Sequence, residues 1–278
     1  MHYQMIENGI FVPESGQFDP THILECGQIF RYVQSTDGSY TVYSRDKRCI
    51  VQRAENGWNI LTADPDYFVH YFDLETDYEE IKRKVSVHPV MADATRFGGG
   101  IRILNQDFFE MIISFIISAN NHIPRIKAII ERICNTLGKD MGGYHAFPTP
   151  EELARADERF FSSIGAGYRA RYLENTAKRL IGEDLKEWLS LPTAELNKRL
   201  VSLMGVGQKV ADCILLFGAG RTDVFPVDTW IKKVYHDYFG TETEPNRIRA
   251  SLLKTFGDTA GYAQQYLFYM KRELEKKF

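Results

Sequence analysis

The chain of 278 residues has room for two domains and a substantial core. With 44% hydrophobic and 26% charged residues it is an ordinary globular protein, which excludes disordered and fibrous classes, and no apolar run approaches the ~20 residues of a membrane span. The formal net charge of −3 hides an asymmetry: residues 1–100 carry nine Lys and Arg against fifteen Asp and Glu, and residues 101–278 carry 25 against 22, so whatever basic face exists belongs to the second part.

The opening MHYQMIENGIFV lacks a basic n-region and an Arg- and Ser-rich amphipathic pattern, so a cytoplasmic location is expected, nucleoid-associated if the source is prokaryotic. A short helical patch lies near Asp19 to Glu25. The stretches QIFRYVQ, SYTVYSR, RCIVQRA and GWNILTA then alternate in strand fashion between turn signals such as TDG and ENG, and predict an antiparallel sheet. From Asp64 the pattern becomes helical, with DPDYFVHYF and DYEEIKRKV. It is interrupted between Lys84 and Gly100, where His88-Pro89 and the triple glycine at 98–100 stand. Helical runs follow over Asp107 to Ala119, Pro124 to Leu137, Arg169 to Ile181, Glu195 to Leu203, Lys209 to Phe217, Asp228 to Phe239, Asn246 to Phe256 and Tyr262 to Lys276. The expected fold is α+β, an N-terminal antiparallel β-sheet domain over 1–88 with flanking helices, followed by a mainly α-helical domain over 89–278.

Cys26, Cys49, Cys134 and Cys213 are scattered, with no CxxC pair and no four-cysteine cluster loop, and there is neither HExxH nor GxxxxGK[ST]. No metal and no cofactor are expected. Chemistry concentrates instead between Leu203 and Trp230. Gly205 and Gly207 flank one residue between two helical patterns and predict a tight turn whose second helix offers unpaired N–H groups and a positive dipole end to an anion. Lys209 and Cys213, at i and i+4, share a face of that helix. Nineteen residues past Lys209, Asp228 stands where the N-cap of the next helix belongs. Singly, these read as a helix connection, a solvated lysine and a cap.

Together, the LxGVGxKxA hairpin and the Pro-Val-Asp segment after it resemble the helix-hairpin-helix DNA glycosylase superfamily. Within it the chain is most similar to the 8-oxoguanine DNA glycosylase family. CGQIFRY (Cys26 to Tyr32) resembles that family's SGQSFRW, SANNHIPRI (Ser118 to Ile126) its SSNNNIARI, and AGYAQQYLF (Ala260 to Phe268) its AGWAQAVLF, while GYRARY (Gly167 to Tyr172) and KVADC (Lys209 to Cys213) are identical. The resemblance implies a DNA N-glycosylase and apurinic/apyrimidinic-site lyase that flips an oxidised guanine out of duplex DNA. It makes Lys209 the Schiff-base nucleophile, and Asp228 the carboxylate that stabilises the oxocarbenium-like sugar. The Gly27 carbonyl would accept the N7 hydrogen of the oxidised base, Gln264 would read its Watson–Crick edge, and Phe268 and Cys213 would sandwich it. Asn120, Tyr168, Arg169 and Arg125 would fill the gap and hold the orphaned cytosine, with Gly205 and Gly207 on the DNA backbone.

By residue type alone Phe268 and Cys213 are as well read as core, Gln264 as a surface amide, Gly27 as a helix-ending glycine, and the arginines as phosphate contacts. Two departures from the family pattern stand out. Trp230 replaces a histidine two residues after the aspartate, and Tyr269 to Lys271 differ from an SADL-type segment. The partner expected is double-stranded DNA, with no membrane and a monomeric enzyme. The alternatives are a glycosylase of the same fold for another purine lesion and a non-catalytic helix-hairpin-helix DNA-binding module, which would need neither Lys209 nor Asp228.

Overall fold

The structure, a computed structural model, describes residues 1–276. Six strands, β1 (Gln4–Ile6), β2 (Gly9–Pro13), β3 (Tyr32–Gln34), β4 (Tyr40–Ser44), β5 (Lys47–Ala54) and β6 (Gly57–Leu61), form an antiparallel sheet in the order β1-β2-β6-β5-β4-β3. Its buried positions recur at every second residue, Ile10 and Val12 in β2, Tyr40 and Val42 in β4, Cys49 and Val51 in β5, as a sheet with one covered face requires. Four strands match the expected stretches, although QIFRYVQ becomes a strand only from Tyr32. The β1–β2 hairpin, turning at Glu7-Asn8, was not expected; β1 is exposed along its whole length and offers no alternation to read.

The helices are α1 (Pro20–Leu24), α2 (Pro65–Tyr71), α3 (Tyr78–Val85), α4 (Val90–Phe97), α5 (Phe108–Ser118), α6 (Ile123–Leu137), α7 (Pro150–Leu153), α8 (Glu158–Ser163), α9 (Arg169–Leu180), α10 (Leu185–Ser190), α11 (Thr193–Val201), α12 (Gln208–Ala219), α13 (Thr229–Tyr238), α14 (Pro245–Phe256) and α15 (Ala260–Glu275). α4 occupies the stretch expected to be an interruption. Proline lacks an N–H that a helix N-terminus does not need, so Pro89 starts this helix rather than breaking one, and its Met91 and Ala94 are buried. None of the described helices is long and apolar enough to cross a membrane.

The chain divides into two compact units that do not follow its order. One comprises residues 1–29, 51–105 and, among the described residues, 220–276. Its core gathers around α15, whose Ala263, Tyr266, Leu267 and Met270 meet α3, α4, α13 and α14. The fully buried Arg102 anchors its irregular stretches, donating through Nε to the Phe72 carbonyl at 3.0 Å and through its terminal nitrogens to those of Gln17, Asp73 and Thr76, with its plane 4.0 Å above the Tyr78 ring.

The other unit comprises residues 30–50 and 106–219 and is built on α5, in which every residue but the last is buried. α12 packs along it so closely that a side chain on Gly218 would meet Met111, and Phe115 stacks on Phe217 with centroids 5.7 Å apart. Glu110 is enclosed in the same helix. Burial pushes its carboxyl up to about 7, which the Arg31 guanidinium and the Arg45 N–H, donating to Oε2 at 3.1 Å, offset only in part.

Folded Glu110 therefore keeps a proton at pH values where the unfolded side chain has lost it. Its contribution to stability is fully present below about pH 4.5 and is lost as pH rises through about 7. Glu110→Gln, which keeps the shape without the charge, is expected to flatten this fall by on the order of 1–3 kcal/mol between about pH 5 and 8. Urea unfolding at the two ends of that range checks it; an unchanged difference would mean that Glu110 stays ionised.

Candidate active site

In the unit built on α5, the hairpin between α11 and α12 turns at Gly205, whose φ of +85° suits glycine and where a Cβ would lie 2.4 Å from the Tyr172 ring. At Gly207 a Cβ would meet nothing within 4 Å, so the start of α12 is uncovered on that side. Lys209 sits in the first turn, half-buried, with Nζ 6.0 Å from the centre of the Phe115 ring. Cys213 lies one turn on and is buried. The observed α11 and α12 begin and end within about two residues of the expected helices.

The same unit gathers the residues expected at the gap in the duplex. Asn120, just past α5, is exposed and takes a φ of +49°, a left-handed conformation that asparagine tolerates better than most residues. Arg169 holds it there. At 3% exposure its guanidinium donates to the Ala119 carbonyl through Nε at 2.8 Å, to that of Asn120 through Nη2 at 2.7 Å and to that of Ala166 through Nη1 at 3.3 Å. It also lies 4.4 Å over the ring of Tyr168, which is 55% exposed and whose hydroxyl donates to the Ala119 carbonyl at 3.3 Å. Arg125, at the start of α6, is exposed and uses Nη2 on the Gly165 carbonyl at 2.9 Å. The four side chains lie around the turns at 119–120 and 165–168 in different states: Asn120, Tyr168 and Arg125 are exposed, and Arg169 is buried against the carbonyls of 119, 120 and 166 and the Tyr168 ring.

In the unit built on α15, Asp228 caps α13, accepting the Ile231 N–H at 2.9 Å, so its carboxylate faces the positive end of a helix. Gly27 stands at φ +87° beyond α1, and a Cβ there would be 3.3 Å from the Phe268 ring and 3.0 Å from Nη1 of Arg272. The structure thereby brings Gly27 and Phe268 together. Gln264, one turn before Phe268, is 5% exposed, and its Oε1 has no hydrogen-bond partner among the described residues. An orphaned buried acceptor of this kind costs about 1–3 kcal/mol, which a donor arriving on a ligand would relieve.

Two side chains beside these were not singled out from sequence. Arg272 is i+4 from Phe268, with its guanidinium 5.2 Å from the ring centre, and Gln265 donates to the Cys26 carbonyl at 3.0 Å. The spacing along α15 was a usable signal for Arg272, since 264, 268 and 272 recur every turn; the bond from Gln265 was not visible in any pattern. At the departures from the family pattern, Trp230 carries Lys233 at 4.7 Å from its ring, and Lys271 is paired with Asp237 at 2.6 Å and with Glu275 at 2.9 Å.

Residues 113–257 match the model of the HhH-GPD superfamily base excision DNA repair proteins, and residues 10–112 that of the 8-oxoguanine DNA glycosylase N-terminal domain. An N-glycosylase/DNA lyase of Saccharomyces cerevisiae is 30% identical over 89% of this chain and 81% of its own length. The Clostridium acetobutylicum 8-oxoguanine glycosylase/lyase, solved with duplex DNA containing cytosine opposite 8-oxoguanine, is 38% identical, with a TM-score of 0.93 covering 99% of both chains. A 3-methyladenine DNA glycosylase of Archaeoglobus fulgidus, at 19% identity and a TM-score of 0.76 over 99% of both chains, shares the fold alone. The chain therefore belongs to the HhH-GPD superfamily of base excision DNA repair proteins and, within it, to the 8-oxoguanine DNA glycosylase/lyase family.

Proposed function

We propose that this protein excises 8-oxoguanine from duplex DNA, preferably opposite cytosine, and cleaves the strand through a lysine Schiff base. The observations that carry the reading are a buried Gln264 Oε1 and a Gly27 carbonyl, neither with a donor among the described residues, with Gly27 close against the Phe268 ring and Gln264 one turn before Phe268 on α15. Oxidation converts N7 of guanine from an acceptor to a donor, so a fixed carbonyl distinguishes the damaged base from the normal one, and an aromatic ring supplies the stacking that every extruded base loses.

Lys209 is assigned the attack on C1′ as the base departs, since an amine in the first turn of α12 lies beside the uncovered hairpin. Displacement of the base by Nζ gives an aminal at C1′; passage of the amine proton to O4′ with breakage of the C1′–O4′ bond opens the sugar to an iminium, loss of a C2′ proton then expels the 3′ phosphate by β-elimination, and water hydrolyses the imine to return the lysine. Asp228, whose carboxyl accepts the Ile231 N–H at the positive end of α13, is assigned the stabilisation of positive charge on the sugar. The hairpin amides and Gly207 are assigned to the DNA backbone, while Asn120 and Tyr168 refill the vacated stack. Cys213 is the proposed second face of the base pocket. The brace that Arg169 makes with carbonyls 119 and 120 favours a role in shaping this wedge, which leaves Arg125, with donors to spare on an exposed side chain, as the reader of cytosine.

Borohydride is expected to trap the protein covalently on 8-oxoguanine duplex, and Lys209→Gln to abolish trapping and cleavage while duplex binding is retained; undiminished trapping in that variant would exclude Lys209 as the nucleophile. Because good bidentate contacts discriminate by ~1–3 kcal/mol, excision opposite cytosine should exceed that opposite adenine by roughly ten- to a hundredfold. Arg125→Ala should narrow this gap in single-turnover rates on the four pairings, whereas an arginine that contacts only phosphate would lower all four alike.

A further inference from the structure

We propose that Arg272 and Gln265 are positioning residues that aim the Gly27 carbonyl and thereby set the selectivity for the damaged base; this rests on the reading of Gly27 given above. The segment from Glu25 to Gln28 is neither helix nor strand, so each of its carbonyls needs a partner or stays exposed to whatever arrives. Two consecutive ones are taken by α15: the Glu25 carbonyl by Nη2 of Arg272, and the Cys26 carbonyl by Nε2 of Gln265 at 3.0 Å. Residue 28 is fixed by its own side chain, whose Nε2 donates to the carbonyls of Ile23 at 2.9 Å and Arg102 at 2.8 Å, and whose Oε1 accepts the Leu104 N–H at 2.9 Å. The carbonyl between these fixed points is that of Gly27.

Both positioning side chains are buried, at 4% for Arg272 and 2% for Gln265, and they stand seven residues apart on α15, close to two full turns. Arg272 is itself held: Glu273 accepts from its Nε at 2.9 Å and from its Nη2 at 2.7 Å, and its plane lies over Phe268. One guanidinium thus fixes the proposed acceptor strap and the proposed stacking ring to each other. Peptide planes at 25 and 26 that cannot rotate leave the plane at 27 little freedom, and a hydrogen bond to N7 weakens steeply when its angle is lost. Substitution should therefore misdirect recognition of the base without touching the groups assigned to the sugar.

The test compares two reactions of the same full-length variants: single-turnover release of 8-oxoguanine, and β-elimination at a preformed abasic site, which presents no base to Gly27. Arg272→Met and Gln265→Met, which keep the unbranched stems and remove the donors, are each expected to slow base release by roughly ten- to a hundredfold. Abasic-site cleavage should stay within about twofold of wild type. Unchanged base release in both variants overturns the proposal. So does an equal loss in both reactions by Gln265→Met, the smaller change, whatever Arg272→Met does to folding. Wild-type protein that cleaves abasic duplex but never releases 8-oxoguanine removes the reading of Gly27 itself, and the positioning role with it.

Discussion

Irregular backbone inside a protein leaves carbonyls that neither helix nor sheet satisfies, and each one left bare costs about 1–3 kcal/mol. This chain meets that constraint with buried arginines. Arg102 serves the carbonyls of four residues in one unit, Arg169 those of three in the other, and Arg272 that of Glu25. A guanidinium offers five donors in a fixed plane, so one side chain can tie several turns of backbone at angles that a flexible ammonium could not hold. The segments so tied include those that carry Gly27 and Asn120, neither of which belongs to a regular element.

The same chemistry separates two arginines that a motif treats alike. Arg125 and Arg169 both fall in segments that match the family, and both invite assignment to the orphaned base. Burial decides between them: a guanidinium at 3% exposure with three carbonyl partners has little left for a ligand, whereas Arg125 makes one bond and faces outward. Arg169 acts on DNA, in this reading, through the left-handed turn at Asn120, which it holds by the carbonyl on each side of the residue's own nitrogen.

The sheet, the hairpin and most helices were legible because their residues obey a period: alternation in β4 and β5, apolar spacing in α13 and α15, glycines between two helical runs. The β1–β2 hairpin was not, since an edge strand exposed on both faces has no alternation to show. α4 was hidden by proline and glycine, which mark its ends as readily as they mark a break. Asp228 was legible as a cap from its place before an amphipathic run. Arg272 was not, because a charged residue on a terminal helix reads as solvated until the neighbours that bury it are known, and Gln265 gave no sign that the first of two adjacent glutamines would face one way and the second another. Sequence patterns follow the chain, while compactness joins residues 1–29 with those beyond 220.

The two glycines of the hairpin show how structure separates what sequence leaves together. Gly205 is demanded by the fold: its positive φ disfavours a side chain, and the ring of Tyr172 occupies the space a Cβ would need. Gly207 meets neither condition, for its conformation is one that other residues adopt, and a Cβ would touch no protein atom. Nothing inside the chain requires glycine there. What an absent side chain provides at the first turn of a helix is an unobstructed approach to the positive end of its dipole. A phosphate of the duplex has the charge and the size for that approach. Lys209, the proposed nucleophile two residues further along the same turn, would then meet the sugar of a strand already held by its backbone, so that the hairpin would order both together.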